Sequence, residues 1–297
     1  MQFQKATKAQ AKLRMAIDGP AGSGKTYTAL AIAKAMGDKV AVIDTERGSA
    51  SKYAHKFEFD VLELNTFAPA TYVEAIQAAA KAGYTVLVID SLSHAWFGKD
   101  GALEQKDKAE ARMKNPNGYT AWREITPMHN QLVDAILQAP MHVIATMRTK
   151  MEYVQEKDAN GRTQIRKVGL APVQRDGVEY EFDIVGDISV EHVMTISKTR
   201  CDLLDGAVIA KPGADLAQTI QTWLTDGTAP VPVVLHWSKV ADVWADFARE
   251  AKALGFDNTT AKAALGVQQF ADYQGTYEDA VNTLRDAKTT AAQAQPA

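Results

Sequence analysis

The sequence predicts an α/β protein: a mostly parallel sheet flanked by helices, extended by antiparallel strands and a hairpin, with a small helical domain on its C-terminal side. Three observations lead there. Residues 13–17 form a short apolar run that ends in a glycine-rich turn and passes into a helical pattern over 27–36. Residues 40–44 and 85–90 are further apolar runs, each ending in an acid, with helical spacing over 69–82 between them. Continuous apolar runs belong to strands buried on both faces, and strands alternating with helices form right-handed βαβ units. Beyond residue 150 the period changes to that of hairpins.

The turn after the first run is Gly19-Pro20-Ala21-Gly22-Ser23-Gly24-Lys25-Thr26, which satisfies G-x-x-x-x-G-K-[ST], the phosphate-binding P-loop. Its glycines let successive N–H groups point into one concavity, and the helix beginning there, with Tyr27 in its first turn, adds a positive dipole end. The expected ligands are ATP and Mg²⁺, with Lys25 on the β- and γ-phosphates and the Thr26 hydroxyl on the metal. Asp90, at the end of its strand, stands where a second acid is needed to hold magnesium through water; as a competing role it would cap the segment after Ser91.

Further along, residues 98–118 read as a surface excursion with a short helix near 102–112. Residues 119–138 read as a helix that Pro127 kinks or splits, and 141–146 as another buried strand ending at Thr146. Residues 151–155 and 163–168 flank Asn160-Gly161, a hairpin turn signal, and Asp176-Gly177 is a second. Val178, Tyr180, Phe182 and Ile184 alternate with Glu179, Glu181 and Asp183, the pattern of a half-buried strand; residues 193–197 predict another.

These elements give five regions: a flexible segment 1–12, the α/β domain 13–225, a Gly/Pro linker 226–235, a helical domain 236–290 and a disordered Ala/Gln-rich tail 291–297. Hydrophobic content of 46% with 23% charge is that of an ordinary globular protein. No apolar run reaches the length of a membrane span, so no membrane partner is expected. The net charge of −3 gives no overall attraction to nucleic acid, so any such binding must come from local patches. A single cysteine, Cys201, excludes an internal disulfide framework and suits the cytoplasm.

Val42-Ile43-Asp44-Thr45-Glu46, with Tyr53-Ala54-His55-Lys56 seven positions after Glu46, resembles the second core strand of RecA-type ATPases. Val86-Leu87-Val88-Ile89-Asp90-Ser91-Leu92 is similar to their Walker B strand, and Lys198-Thr199-Arg200 to their interfacial basic pair. The segment from Gly169-Leu170-Ala171-Pro172 to Phe182 looks like phage-encoded RecA-core ATPases, a group that includes single-strand annealing proteins. The resemblance covers roughly residues 12–210. It implies a RecA-like core, ATP hydrolysis with Glu46 activating water, Tyr53 stacking on adenine, and Thr146 in the sensor position. Glutamine or asparagine often occupies that last position in the recombinases. It further implies Lys198 and Arg200 acting on the neighbour's γ-phosphate, a head-to-tail ring or filament of identical subunits, a single-strand-binding protein as partner, and the host cytoplasm. Physical reasoning keeps alternatives open: Glu46 fits the base, with Asp44 nearer the strand interior, but also reads as a solvated loop carboxylate, and Tyr53 serves equally as core filler. The N-terminal Phe3-Gln4-Lys5-Ala6 has the Phe-x-x-Ala form that strand-exchange recombinases dock on a neighbour.

Nucleic acid requires cations that track its backbone, with aromatic platforms for bases. Arg148, Lys150, Lys157, Arg162, Arg166, Lys167 and Arg175, near Tyr153, face only Glu152, Glu156 and Asp158 in the same stretch. They follow the sensor strand, where RecA-type proteins place a DNA-contacting loop, so single-stranded DNA is the expected partner. Residues 98–118 are a weaker second candidate. The sequence therefore reads as a Mg²⁺-dependent ATPase that binds single-stranded DNA for recombination or annealing. The alternatives are a motor or loader on duplex DNA or protein, a small-molecule P-loop kinase, and a nucleotide-gated DNA-binding module.

Overall fold

A computed structural model of the chain describes residues 11–115, 117–157, 163–227, 237–239 and 241–293, with backbone alone for 151–157, 163–169, 239, 241 and 290–293. The Phe3–Ala6 motif, the Asn160-Gly161 turn and Arg162 lie outside these residues. The chain divides into two compact units, Met1–Pro230 and Val231–Ala297.

The first unit is built on one sheet. Strand β1 (Arg14–Gly19) is buried throughout and leads through the glycine-rich turn into α1 (Lys25–Met36). Then come β2 (Val40–Asp44), β3 (Asp60–Glu63), α2 (Pro69–Lys81) and β4 (Val86–Asp90). A short α3 (His94–Phe97), α4 (Ala102–Ala111) and α5 (Gly118–Gln138) precede β5 (His142–Lys157) and β6 (Thr163–Pro172). The sheet is completed by β7 (Ile184–Ile188), β8 (Val193–Thr199) and β9 (Val208–Ala210), and α6 (Ala214–Thr225) closes the unit. Strand order is β3-β2-β4-β5-β1-β7-β8-β9, with β6 paired to β5. The run from β3 to β7 is parallel, and β6, β8 and β9 pair antiparallel. This is the mixed α/β plan of a P-loop NTPase. The carboxyl ends of β1, β2 and β4 share one edge of the sheet, where open α/β folds bind ligands.

Period two sorts β1 between two cores. Met15 and Ile17 join Leu30, Ile32, Ile220 and Leu224 under α1 and α6. Ala16 joins Tyr72, Ile76, Leu132 and Ile136 under α2 and α5.

Several expectations are corrected. Residues 178–181 form a 3-10 turn, not the start of a strand. Gly177 starts it in the left-handed region at φ 88°, and the carbonyls of Glu179, Tyr180 and Phe182 converge on the Lys198 ammonium, which turns this backbone away from any ladder. Strand β5 carries the core strand and one hairpin arm as a single element. α5 runs unbroken through Pro127 from its Asn117 cap, whose side chain accepts from the Tyr119 and Thr120 amides. β3 and α6 are not among the expected elements. β3 is an edge strand exposed along its whole length and carries no apolar pattern. α6 does show helical spacing in Leu216, Ala217, Ile220 and Leu224.

Arg14 fastens the sheet to the end of α5. Its buried guanidinium donates to the carbonyls of Leu137, Ala139 and Met141 at 2.5–3.2 Å. Leu137 is one of the last-turn acceptors that a helix C-terminus leaves unpaired, and Ala139 is the cap residue. Arg14→Ala should therefore cost about 3 kcal/mol, because it strands several buried carbonyls at once. The melting temperature should fall by roughly 10 °C in calorimetry; an unchanged melt would show that water replaces the guanidinium.

The second unit contains α7 (Ala241–Leu254), α8 (Asn258–Leu265) and α9 (Tyr277–Gln293) around Phe247, Phe270, Val281 and Leu284. Trp237 packs against this core and donates its indole N–H to the Gly275 carbonyl at 3.1 Å.

Candidate active site

The turn from β1 to α1 is possible only with glycine at its critical points. Gly22 and Gly24 hold φ 80° and 87°, left-handed values that burden any side chain. A Cβ on Gly19 would lie 2.5 Å from the Ile188 carbonyl oxygen. The Lys25 ammonium turns back onto the carbonyls of Gly19 and Pro20, 2.8 Å from each. Burial lowers its pKa, against the opposing pull of Asp90 and Glu46.

Asp90 is buried and takes two hydroxyl donors, Thr26 at 2.6 Å on one oxygen and Thr146 at 2.5 Å on the other. Burial raises its pKa while these hydrogen bonds pull it down. A cation-compatible oxygen set of Thr26 and Asp90 thus stands beside an ammonium at the mouth of a glycine cradle. This donor set fits a Mg²⁺–nucleotide. Among the described residues no group of three or more His, Cys, Asp or Glu could hold a metal ion.

Asp44 and Glu46 take different partners. Asp44 is buried, and its two carboxylate oxygens accept the backbone amides of Glu46 at 2.6 Å and Ala50 at 3.1 Å, so it shapes the loop. That loop includes Arg47 at φ 54° and Gly48 at φ 76°. Glu46 is thereby turned into the cleft. There it accepts Nε and Nη2 of Arg148 at 2.9 and 2.5 Å and the Ser91 hydroxyl at 3.3 Å. Burial pushes the Glu46 pKa up, but the Arg148 hydrogen bonds and charge outweigh it, and the net direction is down.

Lys25, Thr26, Glu46, Asp90 and Arg148 line one cleft of about 1070 Å³ with Tyr27, Tyr53, Thr149, His192 and Lys211. Tyr53 meets Tyr27 edge to face, with ring centroids 5.7 Å apart. His192 closes the wall beside Gly24 through a 2.9 Å contact between its Nδ1 and the Ser23 carbonyl. The profile of the AAA domain family matches residues 11–225, from the strand before the P-loop to the end of α6. The chain belongs to the AAA domain family. No curated protein matches it. As an AAA domain, the first unit is a nucleotide-binding ATPase domain of the P-loop type. No helix among the described residues is long and apolar enough to cross a membrane.

Within the AAA domain the other expected residues separate. Arg148, expected on DNA, is drawn into the nucleotide cleft by Glu46. Lys150 and Arg175 lie on a different groove, at the root of the β5–β6 hairpin. The side chains of Tyr153, Lys157, Arg166 and Lys167 fall outside the described ones. Lys198 and Arg200 sit at the edge of the sheet remote from the P-loop, where Lys198 pairs with Val185 and Arg200 bonds Asp183 at 2.6 Å. Sequence reasoning missed His192 and Lys211 as cleft residues. Both hold positive φ, 61° and 48°, and the Lys211 amide donates to the His192 carbonyl at 2.7 Å. Their placement depends on the β8–β9 pairing, for which no motif exists.

Proposed function

We propose that the chain is an ATPase with a RecA-like core that assembles head to tail and binds single-stranded DNA in phage recombination or annealing. The observation that carries this reading is Arg148. It holds the carboxylate best placed to activate water, and it belongs to the strand that continues into the basic β5–β6 hairpin. One residue thus joins the hydrolytic cleft to the segment richest in cations.

Bound Mg²⁺–ATP supplies the electrophilic phosphorus and the cation that neutralises its oxygens. Lys25 and the P-loop amides would hold the phosphates and Thr26 and Asp90 would provide oxygens to the metal, while the Thr146 hydroxyl, which donates to Asp90, orients it. Glu46 orients water and takes its proton on a carboxylate oxygen. Tyr53 and Tyr27 offer aromatic surface to the base. Lys198 and Arg200 stand on the edge opposite the P-loop, so a neighbour stacked head to tail would present them to this site, and they would act in trans on charge that develops during transfer. Arg200, 54% exposed, is the freer of the two, whereas Lys198 is held by three carbonyls. A single-strand-binding protein is the further partner this reading implies.

The test is ATP turnover with and without single-stranded DNA at two salt concentrations, with molecular mass measured in each nucleotide state. The expected result is DNA-stimulated hydrolysis by an oligomer, weakened by salt. Loss of roughly 100-fold or more in turnover is expected for Lys198→Ala with Arg200→Ala. Full-rate hydrolysis by a strict monomer, indifferent to DNA and to that double substitution, overturns the reading. ADP release that demands an added metabolite would assign a small-molecule kinase instead.

A further inference from the structure

A second groove of about 1020 Å³ opens between α3, α5 and the hairpin root. Trp96 and Trp122 stack in it, with centroids 5.3 Å apart and planes inclined by 12°. Tyr119, at the start of α5, lines the same groove and is 85% exposed. A large aromatic ring left almost wholly in water costs apolar hydration, and an isolated case needs no explanation. Three aromatic side chains on one groove with three cations, Arg123, Lys150 and Arg175, against Asp176 alone, form a different case.

We infer that this groove is a base-stacking site for single-stranded DNA, with Trp96, Trp122 and Tyr119 as platforms and Arg123, Lys150 and Arg175 on the phosphates. The inference rests on the proposal that single-stranded DNA is the ligand, and it adds Trp96, Tyr119, Trp122 and Arg123 to the Lys150 and Arg175 of the hairpin reading. Charge selects the occupant: the chain carries net charge −3, yet the groove is locally basic, which suits a polyanion with exposed π-faces. A duplex keeps its base faces stacked and cannot use such platforms.

The groove is connected to the nucleotide cleft in two places. Thr149 lines the nucleotide cleft and Lys150, the next residue, lines the groove, as successive strand residues point to opposite sides. On the groove floor the buried Gln174 donates to the Leu92 carbonyl at 3.1 Å and contacts the His129 ring at 3.2 Å. Leu92 lies two residues beyond Asp90. A strand seated on the aromatics therefore presses on the segment that carries the proposed metal ligand.

The experiment uses the full chain and fluorescence anisotropy with two labelled oligomers of equal length, thymidine and abasic deoxyribose-phosphate. The native protein should prefer the thymidine oligomer by about 10-fold or more. Tyr119→Ala, an exposed position, should erase at least about 5-fold of that preference. Its affinity for the abasic oligomer and its DNA-free ATP turnover should stay unchanged. Arg123→Ala should weaken both oligomers and flatten the salt dependence. Native affinity for both oligomers in Tyr119→Ala and in Trp122→Leu overturns the groove while leaving the DNA-binding proposal intact. Failure of the native protein to bind either oligomer removes the ligand itself. A change of oligomeric mass in Trp122→Leu with DNA binding intact would make the groove a protein interface, and this too overturns the inference.

Discussion

Lys25→Ala should abolish measurable ATP binding. Calorimetric affinity should fall by about 100-fold or more, and turnover by on the order of 1000-fold. The ammonium is half enclosed, fixed between the Gly19 and Pro20 carbonyls and faced by the Asp90 and Glu46 carboxylates. Arg148, whose charge acts on Lys25, is bidentate on Glu46 and so is not free to take its place. Lys25→Arg should not restore function, since a planar guanidinium cannot occupy the space of a compact ammonium between two carbonyls. Thermal shift offers an independent readout. Saturating ATP at 100 times its dissociation constant should stabilise the native protein by about 2.7 kcal/mol and the variant by close to nothing. An equal shift in both would mean that the backbone amides alone bind the nucleotide.

The parts of this site legible in the sequence are those that local spacing determines. A P-loop is one turn whose glycines, lysine and threonine act within eight residues, and Asp90 ends a strand whose burial is written in its own apolar run. What the sequence hides is decided by distant partners. That the amides of Glu46 and Ala50 occupy the Asp44 carboxylate is not visible in Asp44-Thr45-Glu46 itself. Arg148 reads as one more hairpin cation until it meets a glutamate 102 positions away. Residues 178–182 alternate as a strand would, yet Lys198 gathers their carbonyls from 16–19 positions further on. Period-two patterning reports which faces would be buried if the backbone were extended. It carries no information on where that backbone finds its hydrogen-bond partners.

Glu46→Gln should reduce the maximal turnover by about 100- to 10,000-fold while leaving ATP affinity within a few-fold of native. The amide keeps the shape and can still accept the Ser91 hydroxyl, but it cannot take a proton from water. Because the same change breaks the ion pair, Arg148→Met is the necessary companion. If Glu46 served only to anchor Arg148, the two variants would lose activity alike; if it is the base, Arg148→Met keeps most of the maximal rate. The pH profile separates them further. Arg148 holds the Glu46 pKa below its ordinary value despite burial, so native turnover should persist as pH falls past the usual glutamate range. With Arg148 gone, only His94 and the Ser91 hydrogen bond oppose burial, and the acid limb should move to higher pH. The stability linkage has the matching sign: a depressed carboxylate pKa stabilises the fold above its unfolded value, and this contribution disappears as pH falls through the folded one. Arg148→Met should accordingly flatten the acid side of the stability curve. An acid limb that stays in place in Arg148→Met, together with a native rate in Glu46→Gln, would transfer the catalytic role to another group in the cleft.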